Sequence, residues 1–298
     1  EWFEGKPLTG CANDLHGPYA GPDGWIYWTK GAFAEQTYER PGRAPLVTKA
    51  SHVLRRRPGD SRIDIVMTGG MDNPVDVAFT DAGEPILTAT FLHHPEAGLR
   101  DGLLHVVYGG LYGKPHNVVD GHPRTGGLMP VLAELGPAVP AGLARYGSDA
   151  FGEDFRGSFF AAMFNLRKVT RHVLTRTGAT FTSRDSDFLV SASRDFHPTD
   201  VIEDADGSLL VIDTGPWYKL CCPTSQLAKP DVLGGIYRVR RTGAARTPDP
   251  RGRALGWTTM TPEGMARLLE DARPAVRDRA VRELGKRGEE AIAGVASV

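Results

Sequence analysis

No Cys-x-x-Cys-His occurs anywhere in the 298 residues, so this chain carries no c-type haem attachment site. It also lacks a Walker loop, a Gly-x-Ser-x-Gly elbow, a His-Glu-x-x-His helix and the glycine fingerprint of dinucleotide folds. Nucleotide-dependent and serine-hydrolase chemistry therefore find no support. No apolar run approaches the roughly 18–20 residues that a membrane-spanning helix needs. There is no basic excess: 35 Lys and Arg against 36 Asp and Glu give a formal net charge of −1, which argues against a general nucleic-acid surface. With 41% apolar and 24% charged residues the chain is neither disordered nor collagen-like. An initial Met is missing too. The sequence opens Glu1-Trp2-Phe3 and stops inside a helical pattern, so it reads as a segment of a longer protein, and the lack of a signal peptide carries no information.

What is present is a unit that recurs four times: an Asn- or His-containing start, a short apolar strand, an acidic Gly turn (Arg-Gly in the third copy), and a second apolar strand. The turns are Pro22-Asp23-Gly24, Asp81-Ala82-Gly83, Arg156-Gly157 and Asp206-Gly207. Each is preceded by a related start: His16-Gly17-Pro18-Tyr19, Asn73-Pro74-Val75-Asp76, Pro140-Ala141-Gly142-Leu143 and His197-Pro198-Thr199-Asp200. Self-similarity at this scale marks a repeat architecture, and short strands between Gly/Asp turns mark an all-β one. A later strand follows in every unit, at Val53, Leu104, Val169 and Ile236. After the first of these, Pro58-Gly59-Asp60-Ser61 and the alternation Ile63, Ile65, Met67 predict a hairpin. Four antiparallel strands per unit, in tandem, predict the blades of a β-propeller. Arg55-Arg56-Arg57 reads as a solvated strand edge.

The expected division is a β-propeller over 1–241, truncated at its N-terminal side, a Pro- and Gly-rich linker over 242–260, and a helical segment over 261–298. Thr261-Pro262-Glu263 has the residues of a helix start. Met265, Leu268 and Leu269 share a face, and Val276, Ala280, Val281 and Leu284 follow at helical spacing after Arg273-Pro274. This pair looks like one HEAT repeat, which cannot bury its own face alone.

The turns and their surroundings, across residues 12–241, resemble the glucose/sorbosone dehydrogenase family of soluble quinoprotein six-bladed propellers. The best stretches are Pro140-Ala141-Gly142-Leu143-Ala144-Arg145-Tyr146 with Phe155-Arg156-Gly157-Ser158-Phe159-Phe160-Ala161, and Gly109-Gly110-Leu111-Tyr112-Gly113. The combination with a HEAT unit resembles planctomycete-type membrane-bound dehydrogenases, which often add a c-type cytochrome domain. The resemblance implies a substrate and the cofactor pyrroloquinoline quinone (PQQ) at the mouth of the central channel. There a His takes the sugar hydroxyl proton while hydride moves to the quinone. Arg and Lys hold the cofactor carboxylates, and calcium polarises its carbonyl.

Carried onto this sequence, His16 precedes a Gly-Pro-Asp-Gly turn as the family base does, though closer to it. Asn73 matches the Asn of the family's Arg-Asn pair, but Asp72 stands where the Arg belongs. His197 and Thr199 fall on two channel arginines. Asn165 falls on a basic residue of the third blade, with Arg167 and Lys168 close enough to compensate. A tri-anionic cofactor would thus meet Asp72, and an unpaired buried charge costs several kcal/mol. The expected mouth is rich in Asn, His and Asp: His16, Asn73, Asp76, His197 and Asp200. That set suits a divalent metal, with Asp76 and Asp200 as ligands, or a carbohydrate. Equally, the two Asp can cap loop amides and the two His can bind backbone in tight turns.

Cys11, Cys221 and Cys222 leave three arrangements open: a strained vicinal bridge, a bridge from Cys11 to either partner, or three thiols. His93, His94 and Glu96, and likewise His116 and His122, read as turn residues, and Asp23, Asp81 and Asp206 as turn formers. Two functions follow. One is a periplasmic or secreted bacterial dehydrogenase oxidising a sugar or alcohol and passing electrons to a c-type cytochrome. The other is a non-catalytic propeller binding glycans or proteins.

Overall fold

The computed structural model describes residues 3, 15–40, 42–92, 100–216, 229 and 231–298. The expectations for Cys11, Cys221, Cys222, His93, His94 and Glu96 lie outside these residues. The chain divides into two compact units, Glu1–Arg145 with Gly157–Val201 and Val211–Tyr237, and Tyr146–Arg156 with Ile202–Leu210 and Arg238–Val298.

Strands follow the repeats. The first repeat holds β1 (Leu15–Ala20), β2 (Ile26–Lys30), the short pair β3 (Gln36–Tyr38) and β4 (Leu46–Thr48), then β5 (Ser51–Arg56) and β6 (Asp64–Gly69). The second holds β7 (Asn73–Phe79), β8 (Pro85–Thr90), β9 (Asp101–His105), β10 (Gly110–Tyr112) and β11 (Ala133–Gly136). The third holds β12 (Pro140–Arg145), β13 (Phe159–Met163), β14 (Lys168–Thr177) and β15 (Thr180–Val190), and the fourth β16 (Pro198–Glu203), β17 (Leu209–Asp213) and β18 (Gly235–Val239). They form sheets of order β1-β2-β5-β6-β10, β7-β8-β9-β11, β12-β13-β14-β15 and β16-β17-β18, the sheets of a partial β-propeller. The repeated turn is what makes them: Gly24, Gly83, Gly157 and Gly207 all sit at φ between +76° and +81°, where a Cβ is disfavoured. Strand β10, the Gly109–Gly113 stretch, joins β6 in parallel, with Gly110 opposite Met67.

The first strands of three sheets carry a bulge, between His16 and Tyr19, Pro74 and Val77, and Pro140 and Leu143. This aligns His16 with Pro74 and Pro140, and Leu15 with Asn73. His197 precedes Pro198 as Asn73 precedes Pro74, so His16 stands one position later in its strand than His197 does relative to its own. Hydroxyls and carboxylates then tie sheet to sheet. Thr29 Oγ1 donates to Pro74 O at 2.7 Å and Thr88 Oγ1 to Ala141 O at 2.8 Å. Asp76 accepts from the amides of Val77 and, across to β12, Leu143, both at 2.7 Å. Gly142 permits a close approach between sheets, since a Cβ there would lie 2.1 Å from Asp200 Oδ1.

The apolar faces close into adjoining clusters, one around Val53, Met67, Leu87, Leu104 and Tyr112 and another around Ile86, Leu103, Leu143, Phe159 and Met163. Each such side chain contributes about 1.5–3 kcal/mol on burial. Arg55 departs from its expected place on an exposed edge. Strand β5 lies between β2 and β6, and the Arg55 guanidinium sits 4.3 Å over Trp25 and binds Asp64 at 2.8 Å. His52 on the same strand is fully buried, and burial, with the nearby His122 and Lys30, pushes its imidazole down to about 3. Between that value and the ordinary His range the unfolded chain binds a proton the folded chain refuses, so stability must fall as pH falls. Urea titrations between pH 7 and 4 should show that loss, and His52→Phe should flatten it. An unchanged slope in the variant would assign the loss elsewhere.

In the second unit α1 (Pro262–Arg267), α2 (Pro274–Arg287) and α3 (Glu290–Ala296) pack through Met265, Leu284 and Ala291. Thr261 caps α1 as its sequence predicts, accepting from the Gly264 amide at 3.2 Å. Val276, Ala280 and Leu284 form the buried stripe of α2, while Val281, one residue round from Ala280, is 60% exposed. The stretch 242–260 holds a buried anchor rather than only turns. Trp257 packs on Val276 and Ala280, donates Nε1–H to Gly252 O at 2.6 Å, and has Arg279 4.4 Å over its ring.

Candidate functional site

Antiparallel pairing sets the start of each first strand beside the end of its second: His16 opposite Thr29 and Asn73 opposite Thr90. From adjacent sheets His16 Nε2 and Asn73 Oδ1 meet at 3.0 Å. An Asn carbonyl accepting from Nε2–H selects the tautomer whose basic lone pair is on Nδ1. The residue expected as base and one expected to bind the cofactor are thus brought together.

Beside them lies a pair that sequence reasoning missed. Asp72 binds Lys114 Nζ, and the lysine sits 5.6 Å from the centre of the Phe33 ring and 5.8 Å from that of Phe91. Burial lifts the Asp72 carboxyl above the ordinary range, against the pull of Lys114. Gly70 makes room, because a Cβ there would lie 1.9 Å from Lys114 O. Phe33 and Phe91 follow the second strands of adjacent sheets and hold φ of +81° and +57°. Such backbones cost about 1–3 kcal/mol each and persist where their surroundings impose them. Here the Phe33 amide donates to Lys49 O at 2.7 Å and the Phe91 amide to Asp101 Oδ1 at 3.0 Å. Asp101 also takes the Nε–Nη2 edge of buried Arg100 and the amide of Val139. His116 lies edge-on to Phe33 and accepts the Val118 amide, a turn role like the one predicted.

The other expected site residues have different employment. Asp76 and Asp200 are in electrostatic reach of each other, and burial, aided by the Asp200 charge, pushes the Asp76 carboxyl up to about 6. Both Asp76 oxygens are taken by amides, and Asp200 Oδ1 accepts the Val201 amide at 2.8 Å. His197 stacks on Phe164 at 4.6 Å, its Nδ1 lies 3.1 Å from Phe164 O, and its amide donates to Asp213 at 2.8 Å. Thr199 Oγ1 lies 3.4 Å from Ile212 O. The Asn165 amide donates to Ala138 O at 3.0 Å, and Arg167 takes φ +56° in the same loop. Lys168, expected to compensate for lost cations, binds Asp187 on β15 at 2.7 Å.

This donor set does not fit a tri-anionic quinone. Lys114 is neutralised by Asp72 and Arg100 by Asp101, and Lys30 is bound to the carbonyls of Gly31 and Ala34. Lys30 and Arg167 have no ion pair among the described residues, and Lys30 is held by those carbonyls. Nor does calcium fit: among the described residues no group of three or more His, Cys, Asp or Glu could hold a metal, and Asp76 has spent its oxygens. What the arrangement can do is orient a base toward a neutral hydroxyl.

Among the described residues no helix is long and apolar enough to cross a membrane. A search of curated proteins finds no match. Solved structures do match. Two described as glucose dehydrogenase are 17% and 15% identical, with TM-scores of 0.50 and 0.51; each match covers 77% of this chain and 64% or 63% of theirs. The PQQ-bound aldose sugar dehydrogenase of Streptomyces coelicolor is 18% identical over 65% of this chain and 54% of its own, with a TM-score of 0.44. The chain therefore has the propeller fold of the glucose dehydrogenases and spans about three fifths of their length. A family match covers the four strand repeats themselves: residues 1–243 fit the family described as "Domain of unknown function (DUF7133)", and the chain belongs to it.

Proposed function

We propose that this chain is the propeller part of an oxidoreductase acting on a sugar or alcohol, with His16 as the base that takes the hydroxyl proton and the hydride passing to a two-electron acceptor held outside the described residues. The His16–Asn73 hydrogen bond at 3.0 Å carries the reading, because it supplies a tautomer-fixed imidazole beside a neutral amide. The fold shared with glucose dehydrogenases agrees with it. A c-type cytochrome acceptor and a periplasmic or secreted setting belong to the same proposal and are supported by the family resemblance alone. The helices from Pro262 onward are, on this reading, the first of a HEAT-type solenoid. Dye reduction by the purified full-length protein with a panel of aldoses and alcohols tests it, with and without added PQQ and calcium. Glycan binding without dye reduction would favour the second reading, a non-catalytic carbohydrate-binding propeller. The pairing of Lys114 and Arg100 with Asp72 and Asp101 favours that reading.

The charge argument has its own test. Asp72→Asn removes an anion and releases Lys114, so PQQ titrated into the variant should bind at least about tenfold tighter than into the parent protein, a gain of about 1.4 kcal/mol. Equal affinity, read by the quinone's absorbance, would show that Asp72 is not what repels the cofactor.

A further inference from the structure

We infer that the cleft beside the Asp206-Gly207-Ser208 turn is a binding site for a tetrahedral oxyanion, a phosphate or sulfate group free or carried on an ester. The cleft encloses about 370 Å³ and lies wholly within the second unit. Three arginines line it, Arg240, Arg241 and Arg246, with the hydroxyls of Ser208 and Thr247. Its one lining carboxylate, Asp206, is already used. Oδ1 accepts the Ser208 amide at 3.0 Å and the Ser208 hydroxyl at 2.5 Å, and Oδ2 accepts Arg240 at 2.7 Å. The neighbouring Asp204 is used as well, by Arg238 at 2.7 Å and Arg251 at 2.5 Å. Arg241 donates one N–H to Phe151 O at 3.2 Å, which steadies the guanidinium and leaves its remaining donors available. Arg246 has no ion pair among the described residues. The cleft thus keeps an excess of positive charge, with planar donor forks and the Thr247 side chain facing one space, the Ser208 hydroxyl being spent on Asp206. Arg forks match phosphate and sulfate oxygens in pairs, and such charge-assisted bonds are roughly twice as strong as neutral ones. A neutral sugar has no need of this charge, so the site differs in chemistry from the one at His16.

Calorimetric titration of the full chain with inorganic phosphate, sulfate, glucose 6-phosphate and glucose tests the inference. Saturable binding of the oxyanions is expected, and Arg246→Ala should weaken it at least tenfold, as should Arg241→Ala. Tighter binding of glucose 6-phosphate than of phosphate would assign an ester, and the reverse the free ion. His16→Ala should leave this binding unchanged, so failure here is separable from failure at the strand-start site. Absence of saturable oxyanion binding would overturn the inference, as would equal affinity in Arg246→Ala. Should Arg241→Ala unfold the unit, Arg246→Ala decides alone.

Discussion

Turnover of the preferred aldose or alcohol should fall roughly 100- to 10,000-fold in His16→Ala, the range a positioned general base supplies. The side chain is half-buried on an exposed first strand, and its loss removes one hydrogen bond to Asn73. One such bond is worth about 1 kcal/mol. Loss of that bond should move the thermal midpoint by about 2–4 °C. Asn73→Ala should act less severely and differently, because it releases the tautomer without removing the imidazole. Its rate loss should be smaller than that of His16→Ala, and its pH–rate profile should shift. Steady-state dye reduction across pH 5 to 9, with a melting curve for each variant, separates the two. A His16→Ala enzyme that keeps its parent rate would remove the base assignment, and an unfolded one would shift the question to His16→Gln.

The recurring Gly turns were readable because the requirement is local: a left-handed position followed by an apolar strand looks alike wherever it occurs, and Gly24, Gly83, Gly157 and Gly207 all occupy it. Repetition also made His16 and Asn73 readable, since equivalent strand starts in adjacent sheets come close whatever their sequence separation. The bulge was not readable, and it displaced His16 by one position from the equivalence with His197 that their neighbouring prolines suggest. Long-range charge pairing was invisible for a similar reason. Nothing near Asp72 announces that Lys114, forty-two residues on, will neutralise it. Arg55 misled because its composition signals solvent while its place between β2 and β6 puts its stem against Trp25. Trp257 was overlooked because Pro and Gly around it carry a linker's composition, though a lone buried indole can anchor such a stretch.

Asp101→Ala should be the most destabilising single change in the first unit, costing about 3–5 kcal/mol. The residue is fully buried and its carboxylate makes four bonds: Oδ1 to the Phe91 amide and Arg100 Nε, Oδ2 to Arg100 Nη2 and the Val139 amide. Removing it takes the two-pronged Asp101 contact from a buried guanidinium and the carboxylate acceptor from two amides. Both amides belong to residues at positive φ, +57° at Phe91 and +47° at Val139. Those conformations persist only while something holds them, so their strain adds to the loss. Asp101→Asn keeps the shape, loses the charge and offers one acceptor oxygen for two amides; it should recover only part of the deficit. Pairing Asp101→Ala with Arg100→Met removes the buried cation, and the double variant should be more stable than Asp101→Ala alone. Urea unfolding of the three variants reads these differences directly. Because Phe91 flanks Lys114, the single variant should also loosen the Asp72–Lys114 pair. A variant that melts within about 1 kcal/mol of the parent would show that the carboxylate is dispensable and that solvent or a neighbouring group satisfies both amides.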